Sequence, residues 1–390
     1  MKKTLMVVYA YFPDDERLRR EADALVNASY EVSVLCLKFP GEFKEETVYG
    51  VKVYRLSMSS KRTNKSKYIF LYASFFIRAF FKLNKLHFKV RYDVIHFHNM
   101  PDFLVFLSII PKMFGTKIIL DLHDPSPEIF MTKFSDGKDS SFTKLLKLLE
   151  KISIKFSNSV ITTNKSFLDL FVSRGCPKEK INIVMNTPQE SVFNKIVGQK
   201  RNKFDEKNFI VMYHGSIVER HGLDLLAKAV KILENKIPEL EVVVYGDGEF
   251  VPKFLETVKN LNLENIVKHF GKVSLDEIAE TIPEINLGVI PNRIGPFTQI
   301  NLPVRTFEYL CMKKPVIVPR TQGINDYFPE DSIFYFNAGD EINLANVIYS
   351  CYSNPEKTLE VTKKGFEIYF KYRWENQGNE LIKIYSELIT

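Results

Sequence analysis

Thr4-Leu5-Met6-Val7-Val8-Tyr9-Ala10-Tyr11 is an apolar run that stops at Phe12-Pro13-Asp14-Asp15. It reads as a buried strand closed by a turn. Arg17–Asn27 follows, with Leu18, Ala22, Leu25 and Val26 at helical spacing, and Glu31–Leu37 is a second apolar run. Strand, helix and strand in that order form the unit of a parallel sheet, so the fold class is α/β. Ligands of such sheets sit beyond the carboxyl ends of the strands. That makes Tyr11–Arg17 a candidate site and Arg17 its most useful side chain.

The pattern continues outward from this unit. Asp93–Pro101 and Lys117–Pro125 begin as strands and end in His98-Asn99 and His123-Asp124. Alternation puts His96 and His98 on one face, with Ile95 and Phe97 on the other. Histidines beside Asp or Asn at two strand ends make a polar pocket, with Pro125–Glu128 behind it. Phe142–Phe156 reads as an amphipathic helix, Ser159–Thr163 as a strand, Ser166–Ser173 as a helix closed by Gly175, and Ile181–Met185 as a strand. The polar stretch after Asn186-Thr187-Pro188, as far as Lys207, reads as a linker.

New β-α units open at Phe209–Ser216, and two strands run into glycine, in His214-Gly215-Ser216 and Tyr245-Gly246-Asp247-Gly248. Glycine lets backbone approach a diphosphate, and Arg220 can grip its oxygens at a helix start. In Asn301–Leu310, Asn301 reads as an N-cap, with Pro303 in the first helical turn. Arg305 and Glu308 stand three apart on one face, and Pro315–Pro319 is a buried strand. A helix start beside an arginine and a carboxylate suits a ligand with phosphates and a diol. Trp374–Leu388 is a last amphipathic helix able to pack back on the first half.

A chain of 390 residues exceeds one ordinary core. Two domains are expected, 1–190 and 208–370, with a linker at 191–207 and a helix at 371–390. The four cysteines are scattered, without metal spacing, which argues against structural zinc and favours a reducing compartment. Met1-Lys2-Lys3 leads into a strand rather than a signal peptide, and no apolar run reaches the ~18–20 residues of a membrane span. A cytoplasmic protein is expected. The net charge of +7 permits an anionic ligand or surface without calling for nucleic acid. Between Glu46 and Asp93 there are eleven lysines and arginines and no acid, interleaved with Tyr68–Ile77 and Ala79–Phe81. A basic helix with an aromatic flank docks on anionic lipid, so residues 61–91 are expected to touch a membrane.

The chain resembles the retaining nucleotide-sugar glycosyltransferases of family 4 (glycosyl transferases group 1). The first-half motifs are Pro13–Arg17 with Arg20-Glu21-Ala22, His96–Pro101, and Asp121–Pro125 with Pro127-Glu128. The second-half motifs are His214-Gly215-Ser216 with Glu219–Gly222, Tyr245–Gly248, and Leu302-Pro303 through Glu308-Tyr309 to Pro315-Val316-Ile317. The resemblance implies the GT-B fold: two Rossmann-like β/α/β domains facing a central cleft, the last helix crossing back to the first domain. It implies transfer, with retention, of a hexosyl or N-acetylhexosaminyl group from a nucleotide sugar, UDP- ahead of GDP-. The acceptor would be a glycan or a polyprenyl-diphosphate-linked glycan in cell-surface polysaccharide biosynthesis, at the inner face of the cell membrane.

By the same resemblance His123, Asp124 and Arg220 are catalytic. Donor-binding positions are Gly215, Ser216, Arg220, Gly246, Lys272, Val273, Asn301, Leu302, Pro303, Val304, Arg305 and Glu308. Acceptor-side positions are Arg17, His98, Asn99 and Glu128. Glu308 matches the second glutamate of the family's E-x7-E motif, on the ribose hydroxyls, and Gly271-Lys272-Val273 lies where the base rests. The departing phosphate oxygen takes the acceptor proton, so no protein nucleophile is needed. No Asp-x-Asp occurs; no metal and no cofactor are expected, the nucleotide sugar being a substrate. The chain departs from the pattern at Ile300, the first E-x7-E position, where Gln299 or Asn301 would substitute. Ser216 and His221 stand where basic residues are usual, leaving Arg220 and Arg305 for the phosphates. Two other readings of the same fold are a sugar-nucleotide epimerase acting on donor alone and a non-catalytic scaffold derived from a transferase.

Overall fold

The computed structural model describes residues 1–58, 65–133, 140–193, 204–205 and 207–389, with backbone alone for 65–69. The chain divides into two compact units, Met1–Asn186 with Glu375–Thr390, and Thr187–Trp374. Most of the expected linker 191–207 lies outside the described residues, as do Lys61 and Arg62.

The first unit is built on eight strands: β1 (Lys3–Tyr11), β2 (Glu31–Leu37), β3 (Glu45–Val48), β4 (Val51–Leu56), β5 (Val94–His98), β6 (Lys117–Leu122), β7 (Ser159–Thr162) and β8 (Ile181–Ile183). Their order is β3-β4-β2-β1-β5-β6-β7-β8, and only the edge strand β3 runs antiparallel. Helices cover both faces of such a sheet, which is why β5 is buried at every position. From β1 the chain steps one way to β2 and later the other way to β5. The carboxyl ends of β1 and β5 therefore flank a switch point, where open α/β sheets bind ligands. The helix Glu16–Asn27 starts there, capped by the Asp15 carboxylate, which accepts from the N–H groups of Arg17 and Leu18.

The hairpin β3–β4 is not legible in the sequence. Its two-residue turn is Tyr49-Gly50, both at positive φ (51° and 80°), whereas the usual signal is Asn-Gly or Asp-Gly. The hairpin and its approach correct the picture of a basic interval without counter-charge. Arg55 meets Glu42 at 3.1 Å and also pairs with Glu46, Lys82 pairs with Glu45, and Lys52 lies 2.6 Å from Glu31. The acids stand just before the interval in sequence and fold back onto it. The interval's helix spans Lys65–Val90.

The second unit holds six parallel strands: β9 (Phe209–His214), β10 (Leu240–Tyr245), β11 (Val267–His269), β12 (Leu287–Val289), β13 (Val316–Pro319) and β14 (Phe334–Phe336). Their order is β11-β10-β9-β12-β13-β14, with a second switch between β9 and β12. Helix Leu223–Leu233 buries Leu223, Leu226, Val230 and Leu233 in the core of this unit. Gly288 in β12 makes room for the helix Val304–Cys311: a Cβ there would lie 2.6 Å from the Tyr309 ring.

The last helix, Trp374–Ile389, returns the chain to the first unit from Glu375 onward. Gln377 accepts the Met185 N–H at 2.8 Å, so the points where the first unit releases and regains the chain are neighbours. Tyr385 is fully buried, its hydroxyl 3.0 Å from His96 Nδ1 and 3.4 Å from Thr4 Oγ1.

Candidate active site

Strand β6 carries Asp121 inward and delivers His123 just past its carboxyl end. His123 Nε2 lies 2.7 Å from Asp121 Oδ2 and 3.5 Å from Glu21 Oε1. His98, at the end of β5, places Nδ1 3.4 Å from the same Asp121 oxygen and Nε2 3.9 Å from Glu21 Oε2. The His96 and His98 rings are 4.2 Å apart, on one face as alternation requires. All five side chains are buried.

Two carboxylates beside histidines in a dry site set the charges. Burial alone would lower the His123 pKa, but Asp121 outweighs it, with Glu21 assisting, and His123 is pushed up to about 9. Burial would raise Asp121, yet His123 holds it well below the usual carboxylate range. Glu21 is likewise lowered, its burial outweighed chiefly by the neighbouring His98. His96, deeper in the core and next to His98, is shifted down by burial. Arg17 sits close enough to oppose the charge on His123, and is itself paired with Asp15 at 3.0 Å.

Asn99 donates at 2.6 Å to the Asp124 carbonyl, fixing the loop that follows His123. Glu128 is turned elsewhere: its carboxylate and that of Glu150 meet Arg174. Thus Arg17, His98, Asn99, His123 and Asp124 gather at the carboxyl ends of the central strands β1, β5 and β6, and Glu128 belongs to a separate cluster with Glu150 and Arg174. Glu21, Asp121 and Tyr385 are the members sequence reasoning did not assign. The available signal was a carboxylate at position 21, on the inward stripe of Leu18, Ala22 and Leu25.

In the second unit the expected donor positions lie at the carboxyl ends of parallel strands. Gly215 follows β9, Gly246 follows β10, and Lys272 and Val273 sit in the loop after the short β11. Backbone approach is close: a Cβ on Gly246, at φ +141°, would lie 1.8 Å from the Gly215 carbonyl oxygen. Glu308 is buried and receives His214 Nε2 at 2.6 Å, while His214 Nδ1 is 2.9 Å from the Tyr309 hydroxyl. His214 and Tyr309 were not among the expected site residues.

Arg305 donates at 2.8 Å to the His214 carbonyl and lies 4.7 Å over the Tyr213 ring, so its guanidinium braces the end of β9. His221 is driven down to about 3, first by burial and then by Arg305, so it is neutral and contributes no charge to the loop. Its Nδ1 lies 2.6 Å from the Ser216 carbonyl. Arg220 stands in the short turn Glu219–His221. The helix start differs from expectation: Pro303, not Asn301, is the N-cap residue, and no side chain caps Val304–Cys311. Proline fits the extended backbone of that position but offers no side-chain acceptor, which leaves the first N–H groups without a side-chain cap.

Among the described residues Glu21, His98, Asp121 and His123 also form a group whose potential ligand atoms lie within 4.8 Å of one another. No helix among the described residues is long and apolar enough to cross a membrane.

Residues 17–187 match the model of Glycosyltransferase Family 4, and residues 195–367 match that of Glycosyl transferases group 1. The chitobiosyldiphosphodolichol beta-mannosyltransferase of Candida albicans is 26% identical over 274 residues, which cover 66% of this chain and 59% of that protein. The enzyme of the same description from Debaryomyces hansenii is 22% identical over 85% of this chain and 76% of its own. Among solved structures, sucrose-phosphate synthase from Thermosynechococcus elongatus superposes with a TM-score of 0.78 at 16% identity, covering 100% of this chain and 99% of that one. The Anabaena HepE protein in complex with UDP gives 0.73 at 15% identity, covering 99% and 100%. Both halves of the chain thus carry the same assignment: it belongs to the group 1, family 4 glycosyltransferases, and is a transferase enzyme of GT-B fold.

Proposed function

We propose that the chain moves a hexosyl or N-acetylhexosaminyl group from a nucleotide sugar, UDP- rather than GDP-, to a lipid-diphosphate-linked glycan in cell-surface polysaccharide synthesis. The observation that carries this reading is Glu308. It is a buried carboxylate, held by His214 and suited to a ribose diol, near the uncapped start of helix Val304–Cys311, whose free N–H groups suit a diphosphate. Arg220 would add positive charge to the departing diphosphate, and Lys272-Val273 would pack the base. The UDP bound to HepE supports the choice of base, and the lipid diphosphate named in the two yeast relatives supports the class of acceptor.

Retention is part of the same proposal, and the charge on His123 supports it. An imidazole held cationic by Asp121 donates hydrogen bonds and is a poor general base. The acceptor proton would then leave with the departing phosphate oxygen, and His123 would steady the transferring sugar, with the Asp124 loop beside it. The reaction is proposed to need no metal, with arginine charge in its place. A cytoplasmic, peripheral location at the inner membrane face is part of the same reading. The exposed Phe70, Ile77, Phe81 and Phe88 of helix Lys65–Val90 support contact through residues 61–91.

The test is calorimetry with UDP and GDP, followed by transfer from a panel of UDP-sugars to a short polyprenyl-diphosphate glycan, with and without chelator. Tighter UDP binding and chelator-resistant transfer with the donor's anomeric configuration kept are expected. Failure to bind either nucleotide sinks the donor site, an inverted product sinks retention, and loss of activity with chelator sinks metal independence.

A further inference from the structure

Helix Ser141–Phe156 turns part of its apolar surface outward. Its buried side chains are Thr143, Glu150, Ser153 and Ile154, while Leu145, Leu148 and Ile152 are 45%, 55% and 40% exposed. Those three stand at i, i+3 and i+7, a single stripe along the helix. Lys144, Lys147, Lys151 and Lys155 are exposed beside it. The only acid of the helix, Glu150, points inward to Arg174 at 3.0 Å. The outer face therefore carries four positive charges, no negative one and three large aliphatic side chains. Outward lysines are ordinary for a surface helix, but a stripe of three large aliphatic side chains beside them is not.

The stripe continues beyond the helix. Lys112 donates to the Phe156 carbonyl, and the short helix Ile109–Met113 adds Met113, 81% exposed, and Phe114. The Phe88 ring lies 5.8 Å from Phe114, and the Arg91 guanidinium sits over both rings at 5.7 and 5.5 Å. Phe88 in turn ends the line of Phe70, Ile77 and Phe81, whose spacings place them within roughly 40° of one another around helix Lys65–Val90. These elements are the crossovers β4–β5, β5–β6 and β6–β7, which advance in one direction across the sheet and so lie on one of its faces.

An apolar band rimmed by lysines marks an interaction site. Its charge complement is an anionic bilayer, into whose interface an amphipathic helix settles lengthwise. Arg78 and Lys82 of the longer helix are already engaged, by the Ser57 carbonyl and by Glu45. We propose that the outward face of helix Ser141–Phe156, continued by Phe114 and Phe88, docks the chain on an anionic lipid surface. This deepens the membrane part of the reading above and adds the lysines of 144–155 to residues 61–91.

The test is sedimentation of the full chain with vesicles of phosphatidylcholine alone or with phosphatidylglycerol added. The parent should bind only the anionic vesicles and be released by salt. Lys144→Gln/Lys147→Gln/Lys151→Gln/Lys155→Gln should weaken partition about a hundredfold or more, at about tenfold for each 1.4 kcal/mol and about 1 kcal/mol per lysine. Leu145→Ser/Leu148→Ser/Ile152→Ser should also lose binding, while Arg78→Gln/Lys82→Gln should stay within about threefold of the parent. Parental binding by both helix-141 variants, or equal binding to neutral vesicles, would overturn the proposal. So would a concentration-dependent dimer dissolved by the serine variant, because the face would then meet a second copy. UDP binding measured on the same samples separates the two readings. Vesicle binding without UDP binding sinks only the nucleotide site, and UDP binding without vesicle binding sinks only the docking face.

Discussion

His123 Nε2 lies 2.7 Å from Oδ2 of Asp121, a carboxylate with no solvent exposure. A buried ion pair of this kind keeps the histidine charged across the physiological range, and it makes the protein's behaviour depend on pH in a definite sense.

The His123 pKa is raised in the folded chain to about 9, from about 6.5 when unfolded. The stability it contributes is complete below pH ~6.5 and is lost as pH rises through about 9. Thermal melts should therefore decline over that window, and Asp121→Asn should remove the decline, lowering stability at pH 6 by about 2–3 kcal/mol. Melts of the Asn variant that keep the parental slope would contradict the assignment.

Glu308→Gln keeps the shape of the side chain but removes its charge. Loss of a charge-assisted hydrogen bond costs about 1.5–3 kcal/mol, so UDP affinity should fall roughly 10–100-fold. His214→Ala should weaken UDP less, by loosening Glu308 rather than removing it. Calorimetry orders the two, and a larger effect of His214→Ala would make the histidine the direct ligand.

Gln299→Ala and Asn301→Ala probe the position where Ile300 replaces a glutamate. The Gln299 carbonyl accepts the Gly323 N–H at 3.1 Å, and a Cβ on Gly323 would lie 2.5 Å from the Ile300 carbonyl oxygen, so the backbone here is fixed. At least one substitution should weaken the nucleotide sugar about tenfold while leaving the free nucleotide unchanged. Equal losses for both ligands would show that these side chains do not reach the sugar.

Arg174→Ala strands Glu128 and Glu150 in the interior. Glu150 is already pushed up to about 8 by burial, against the pull of Arg174. Removing its partner should destabilise the first unit by about 3–5 kcal/mol, and adding Glu150→Gln should recover part of that loss. Chemical denaturation measures both, and an unchanged midpoint in the single variant would count against the pair.

Most strands of both sheets were legible because parallel strands buried on both faces read as unbroken apolar runs. The hairpin at Tyr49-Gly50 escaped because its turn lacks the usual residues. Ile266–Val273 reads as a strand in the sequence, yet edge strand β11 stops at His269, because it pairs with β10 over only three residues. In the site, His98 and His123 announced themselves by falling at strand ends. The residues around them did not: Glu21, which meets both, comes from a helix, and Tyr385, which meets the neighbouring His96, from the far end of the chain, and their convergence is a property of the packing. Arg305 shows the converse, a residue whose type suits a phosphate but whose hydrogen bond goes to the His214 carbonyl.

The hydrogen bond from Met185 to Gln377 makes the second unit a guest in the first. Residues 187–374 leave and re-enter their host at adjacent points, so closing the gap asks only for a short bridge, at little loop entropy. A chain with that insert excised would keep all eight strands of the first sheet and the helix bearing Tyr385. The half of the enzyme assembled from both ends of the polypeptide is, by its architecture, a self-contained module.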